Sequence, residues 1–175
     1  IPFEYFWITG LNGRHLCIVL PLLGPSVSRA ACHYRKEPVV LKDICGQLVR
    51  SMYLMYSKGL CHGDFRPSNI LFRTHSTIDD LTQEEMLQLE LLPVKKCISD
   101  LSRPGHKRFI LPSIVITDFG VAEQTTGIPP AYGAPEDFLC VGPLGYTTDI
   151  WSLAATMFAV VCGTEPFPVS LASGL

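Results

Sequence analysis

A chain of 175 residues can bury a real core in one domain, and its net charge of −2 excludes the broad basic field that draws nucleic acid. Hydrophobic residues make up 47% of it and the mean hydropathy is +0.27, somewhat apolar for a complete soluble domain. That excess, and a first residue that is Ile1 rather than Met, lead us to expect a piece of something larger with a buried face exposed by the cut.

Residues 3–9 are aromatic and β-prone, Gly10-Leu11-Asn12-Gly13 is a turn, and His15 to Leu20 is a second short strand. Together they predict a β-hairpin. Pro21-Leu22-Leu23-Gly24-Pro25 breaks the strand and serves as a connector. Ser26 can cap a short helix that ends before Pro38. From Val39 to Leu60, apolar residues recur at Leu41, Ile44, Leu48, Met52 and Met55, the steps of three and four of a core-facing helix. Gly59 is its stop.

His62-Gly63-Asp64-Phe65-Arg66-Pro67-Ser68-Asn69 then forms a loop before the apolar strand Ile70-Leu71-Phe72. A loop between two rigid elements suits chemistry. Asp64 can accept a proton, Arg66 can hold a phosphate and Asn69 can ligate a hard cation. A mostly polar region follows, roughly Arg73 to Pro112, with capping-box spacing at Thr82-Gln83-Glu84-Glu85 and a helix expected through Leu91. Its basic residues Lys95, Lys96, Arg103, Lys107 and Arg108 read as a solvated insertion, because no aromatics interleave them.

Ile114 to Thr117 is a β-branched run ending at Asp118-Phe119-Gly120. Val121 to Gly133 reads as a loop, Ala134-Pro135-Glu136 as the start of a short helix, and Thr147 to Val161 as a fully buried helix. Asp149, near the start of that helix, can bond its free backbone N–H groups. The most apolar stretch, Ile150 to Cys162, is too short to span a bilayer, which takes about 20 apolar residues. No signal peptide opens the chain. The seven cysteines, Cys17, Cys32, Cys45, Cys61, Cys97, Cys140 and Cys162, are dispersed, odd in number and form no Cys-x-x-Cys pair. They argue against a zinc site and a disulfide framework, and for a reducing compartment.

Four motifs stand in order: His62-Gly63-Asp64 with Asn69 beyond it, Asp118-Phe119-Gly120, Ala134-Pro135-Glu136, and Asp149-Ile150-Trp151-Ser152. Each alone is weak, but the ordered set resembles the eukaryotic protein kinases across nearly the whole chain. The resemblance implies an α+β, mainly α-helical fold: residues 1–20 the end of the N-lobe sheet, 21–25 the hinge, and 26–175 a truncated kinase C-lobe with an insertion at about 73–112. It implies ATP and Mg2+ as cofactors. Asp64 would accept the substrate proton, and Arg66, where the family usually has Lys, would contact the γ-phosphate. Asn69 and Asp118 would hold magnesium. Leu20, Pro21 and Leu23 would face the adenine from gatekeeper and hinge, with Leu71 below it. His62 and Phe119 would pack into the column that links the lobes, Asp149 would brace the catalytic loop, and Glu136 would pair with an Arg further on.

The departures are informative. Gly63 replaces the Arg that normally binds a phosphorylated activation loop, which implies activity without that phosphorylation. Pro129 stands where many serine/threonine kinases carry a Thr that touches the catalytic Asp. The span from Asn69 to Asp118 is longer than usual. Gly63, the short activation segment and the Gly-x-Asn-Gly-x-His hairpin are most similar to the SR-protein kinases, and the run from Ile128 to Glu136 to fungal members or relatives of that group. The implied partner is a protein substrate, Arg/Ser-rich by that subfamily, with no direct nucleic acid and no membrane, in the cytoplasm or nucleus. No Gly-rich loop, Val-Ala-Ile-Lys-type strand or Glu-bearing helix precedes Ile1, so the isolated 175-residue piece is expected to be inactive. Two alternatives stay open: a degenerate scaffold, and an aminoglycoside- or choline-type phosphotransferase, whose His-Gly-Asp-x-x-x-x-Asn signature is shared. Intact Asp64, Asn69 and Asp118 oppose the first; Ala134-Pro135-Glu136 and Asp149-Ile150-Trp151-Ser152 oppose the second.

Overall fold

The computed structural model describes residues 2–76, 82, 84, 110–119, 129–139 and 145–167. Apart from Thr82 and Glu84, the helix expected to Leu91 and the basic residues Lys95, Lys96, Arg103, Lys107 and Arg108 lie outside the described residues, as does Gly120.

The strands β1 (Glu4–Gly10) and β2 (Gly13–Val19) form the expected antiparallel hairpin, closing at the pair Gly10 and Gly13. Gly13 takes φ +111, a conformation open to glycine, and the Arg14 guanidinium lies 4.3 Å from the centre of the Trp7 ring. The second sheet has the order β3-β4-β5, from β3 (Leu23–Ser26), β4 (Ile70–Thr74) and β5 (Ile110–Ile116), all antiparallel.

Two readings from the sequence shift here. Leu23-Gly24-Pro25, read as connector, belongs to a strand. Its Pro is tolerated because β3 lies at the sheet edge. A Cβ on Gly24 would stand 3.2 Å from the Phe72 carbonyl oxygen, so the small residue permits this approach. Residues 110–112, read as insertion, open the other edge strand, β5. Its Pro112 has no N–H to donate, and Gln47 completes the edge: Gln47 Nε2 donates to Pro112 O at 2.8 Å and Ile114 N donates to Gln47 Oε1 at 3.0 Å.

Helix α1 (Val27–Ala30) runs into a 3-10 turn at Ala31–Tyr34. Ser26 stands at its N-cap, but its hydroxyl bonds the Ser28 hydroxyl at 2.8 Å and leaves the helix N–H groups alone. Helix α2 (Pro38–Ser57) buries the five residues its periodicity selects: Leu41, Ile44, Leu48, Met52 and Met55. Each such burial is worth about 1.5–3 kcal/mol. The helix ends in a Schellman motif: Gly59 at φ +71 donates to Tyr56 O, and Leu60 N donates to Met55 O. Ile44 and Leu48 pack with Val27, Tyr34, Phe65, Ile70 and Phe72 into the main core, which lies beneath β4 and directly behind the loop at 62–69.

Helix α3 (Pro135–Leu139) starts at the expected Pro. Helix α4 (Tyr146–Cys162) corrects the fully buried reading. Its covered residues are Thr148, Asp149, Ser152, Ala155, Thr156 and Val160, while Ile150, Trp151, Phe158 and Val161 are exposed among the described residues. Its apolar residues run all round and form no stripe of their own, and the covered face is the one that carries the polar Asp149, Ser152 and Thr156. Capping also differs. Thr148 serves the N-terminus, its Oγ1 accepting from Gly145 N, while Asp149 reaches away to the loop.

Candidate active site

The loop 62–69 hangs from α4. Asp149, 1% exposed, accepts His62 N at 2.7 Å on one carboxylate oxygen and Gly63 N at 2.9 Å on the other. Thr156 Oγ1 donates to Phe65 O at 3.3 Å. Gly63 has φ +78, where a side chain costs about 1–2 kcal/mol. Pro67–Asn69 closes the loop as a 3-10 turn, with Asn69 N donating to Arg66 O at 3.0 Å.

His62 is fully buried and orders the loop from inside. Asp64 N donates to its Nδ1 at 3.2 Å, and its Nε2 contacts Thr117 O at 3.0 Å. A ring that accepts at Nδ1 and donates at Nε2 is the neutral Nε2–H tautomer. Phe65 meets His62 edge-on at 5.6 Å between ring centres, and Phe119 lies against it at 4.9 Å.

The carboxylate of Asp64 is nearly buried, and its two oxygens are treated differently. Oδ2 accepts from Asn69 Nδ2 at 2.7 Å and from Arg66 Nε at 2.9 Å. Oδ1 is also 2.9 Å from Arg66 Nε, an ion-pair distance, but that N–H aims at Oδ2, so Oδ1 is buried without a hydrogen bond. Asn69 Nδ2 donates to Asp64 O as well, at 3.0 Å. The structure therefore brings Asp64, Arg66 and Asn69 together.

The environment shifts two nearby groups. Burial, and then the charge of Glu165, push the Tyr132 phenol up, while Arg66 pulls it down by less. Burial, then Asp149, push the Cys61 thiol up.

The residues fit a hard cation on their donor chemistry. Asn69 spends both amide hydrogens on Asp64, which leaves its Oδ1 with a single contact, the Ser68 hydroxyl at 3.5 Å. Asp118 is exposed at φ +65 and its carboxylate makes no hydrogen bond or ion pair with another described residue. One carboxylate and one amide oxygen suit magnesium, which keeps several waters and takes its other ligands from phosphate. Among the described residues, no cluster of three or more His, Cys, Asp or Glu side chains offers a different metal site.

Leu20 and Pro21 are exposed, and Leu23 and Leu71 are half-buried. Pairing sets Leu23 opposite Arg73 and Leu71 opposite Ser26, so both belong to one β3–β4 ribbon. Beside the loop at 62–69, a cavity of about 220 Å³ is lined by Pro67, Tyr132, Ser28, Arg35 and Glu165 among others.

Some residues of the site had no role read from the sequence: Ser152 stood in the motif beginning at Asp149 without one, and Thr156 was not named. Ser152 Oγ donates to Tyr132 O at 2.9 Å, and Thr156 holds Phe65. With Asp149 they form one face of α4. Three polar residues at steps of three and four in an apolar helix were the signal available. Thr117, at the end of the β-branched run, was another.

The sequence pattern of the protein kinase domain matches residues 11–173. The chain is 30% identical over 166 residues to the dual specificity protein kinase KNS1 of Saccharomyces cerevisiae, covering 89% of this chain and 22% of that protein. It is 26% identical over 169 residues to the dual specificity protein kinase CLK1 of Mus musculus, with 88% and 30% covered. It is 29% identical over 166 residues to the serine/threonine-protein kinase AFC1 of Arabidopsis thaliana, with 88% and 33% covered. The chain belongs to the protein kinase family. It spans between about a fifth and a third of the length of these relatives.

Proposed function

We propose that this chain is the catalytic-lobe part of a serine/threonine protein kinase that transfers the ATP γ-phosphate to a protein hydroxyl. The observation that supports it most is the asymmetric Asp64 carboxylate. Arg66 and Asn69 hold Oδ2 in place, and Oδ1 lacks a hydrogen bond while staying buried. With Arg66 drawn off to the γ-phosphate, Oδ1 would be uncovered for a substrate hydroxyl to pass its proton to. Arg66, already at the carboxylate, would reach the γ-phosphate. Its fixed fork suits phosphate oxygens, and its charge would move onto the transferred group. Asn69 and Asp118 would hold magnesium, which when bound neutralises charge on the phosphates. Leu20, Pro21, Leu23 and Leu71 would pack on the adenine, with the Pro21 carbonyl accepting from its amino group and Leu23 N–H donating.

The substrate is a protein. The cavity beside Pro67 is smaller than the roughly 300–1,000 Å³ of small-molecule sites and suits one side chain of a peptide. The motifs resemble those of the SR-protein-kinase group, which makes Arg/Ser-rich proteins the substrate class and cytoplasm or nucleus the place. Two of the three relatives described above carry the name dual specificity, so tyrosine belongs among the acceptors tested. Gly63 supplies no guanidinium for a phosphorylated loop, and activity needs no such phosphorylation. Among the described residues no helix is long and apolar enough to cross a membrane.

The test is phosphorylation of Arg/Ser peptides by the full-length protein. Asp64→Asn lowers the rate by about 10²–10⁴-fold, the range of a positioned base. An unchanged rate removes Asp64 from this role.

A further inference from the structure

Thr117 sends every polar group it has to the catalytic loop. Its N–H donates to Asn69 O at 2.9 Å, its Oγ1 donates to the same carbonyl at 2.9 Å, and its own carbonyl accepts from His62 Nε2 at 3.0 Å. The N–H bond lies one step beyond the pair of Ile70 with Ile116 and extends the β4–β5 ladder, which any residue other than proline could do. The hydroxyl bond is different. It needs a donor on the side chain, and it fills the second lone pair of a carbonyl already in use. A β-branched side chain also has a stiff χ1, so the hydroxyl is held in that direction by the backbone itself.

The position gives the bond its meaning. Asn69 and Asp118 are the two proposed cation ligands. Thr117 is the residue covalently joined to Asp118, and its hydroxyl is bonded to the backbone of Asn69. We propose that Thr117 is a positioning residue: its hydroxyl fixes the separation of the Asn69 and Asp118 side chains, and so sets the affinity of the site for the cation. This rests on the kinase reading above. The hydroxyl does not touch the nucleotide in this proposal. It acts through the backbone of one ligand and the neighbour of the other.

The experiment compares Thr117→Val, which keeps the shape and loses the donor, with Thr117→Ser, which keeps the donor. Thermal unfolding of the full-length protein is followed with a non-hydrolysable ATP analogue while magnesium is raised, and again with the analogue in the absence of magnesium. Val is expected to raise the magnesium concentration for half-maximal stabilisation about three- to tenfold, the worth of one ordinary hydrogen bond. Ser restores it to within about twofold, and the metal-free response is the same in all three. If Val unfolds, Ser against Thr117→Ala makes the same comparison. A magnesium response that Val leaves unmoved, or that Ser loses as fully as Val, overturns the proposal while leaving the kinase reading standing. A wild-type protein with no magnesium response overturns both.

Discussion

Removing one charge from Asp149 tests whether α4 holds the loop at 62–69. Asp149→Asn keeps the size and one carbonyl oxygen, and turns the other oxygen into an NH2. Of the two N–H groups that Asp149 accepts, His62 N at 2.7 Å and Gly63 N at 2.9 Å, one then faces a donor. A hydrogen bond to a charged group is worth about 1.5–3 kcal/mol, and a buried N–H left without a partner costs about 1–3 kcal/mol. The surviving bond also loses its charge assistance. With the site 1% exposed, water cannot fill the gap, so the sum is about 3–5 kcal/mol, a large share of the 5–15 kcal/mol typical of a domain. Urea unfolding of the full-length protein reads it as a fall of about 1.5–2.5 M in the midpoint, at a slope of about 2 kcal/mol per M, the middle of the usual range. Asp43→Asn is the control. Its carboxylate is exposed, accepts from Gln47 Nε2 at 2.8 Å and lies 3.5 Å from Arg50, so it should cost no more than about 1 kcal/mol. An Asp149→Asn variant within about 1 kcal/mol of wild type would refute the reasoning.

Gly63→Ala should destabilise the protein by about 1–2 kcal/mol, because φ +78 suits glycine; Gly63→Asn should lose less, since Asn tolerates that region. Equal urea midpoints for Gly, Asn and Ala would count against it. Asp137 gives a pH prediction. Burial, the leading cause, holds its carboxyl above the usual value, against the pull of the hydrogen bond from Ala134 N at 2.8 Å. A raised folded pKa means that ionisation costs stability at neutral pH, and that the cost fades as pH falls through the carboxylate range. Asp137→Asn keeps an acceptor for Ala134 N and carries no such cost. Its stability advantage over wild type should therefore be largest near pH 7 and shrink toward pH 4; an advantage that grows on acidification would reverse the sign.

Where a residue's role depends on local spacing, the sequence was enough. Leu41, Ile44, Leu48, Met52 and Met55 lie on one helix face by count alone, and all five are buried. The hairpin and the Gly59 stop follow from turn chemistry in the same way. Asp64, Arg66 and Asn69 meet because they share one short loop. What stayed hidden depended on contacts between distant segments. Gln47 looks like a solvated helix residue until β5 arrives beside it. Leu23-Gly24-Pro25 looks like a break until Phe72 lies against Gly24. The covered side of α4 was marked only by its polar residues Asp149, Ser152 and Thr156, at steps of three and four, since the apolar residues around them say that a helix seeks cover and not which face finds it.

Among these residues, α4 explains how a loop without an arginine at position 63 can keep its shape. A guanidinium there would act at a distance, by tying the loop to a charged partner elsewhere. The contacts on the page are shorter. Asp149 binds the backbone of His62 and Gly63, Thr156 binds the carbonyl of Phe65, and Thr117 binds Asn69 from the opposite side. Ser152, from the same face of α4, binds the carbonyl of Tyr132, whose phenol feels the charge of Arg66. Every one of these links uses a residue already in place on a helix or at a strand end, and none of them needs a phosphate. Gly63 adds to this by taking φ +78 without strain, so the backbone turn that presents both N–H groups to Asp149 costs less than it would with a side chain. The backbone of the loop around Asp64 is thus held by side chains from the covered face of α4, and its carboxylate by Arg66 and Asn69, with Gly63 making the turn between them.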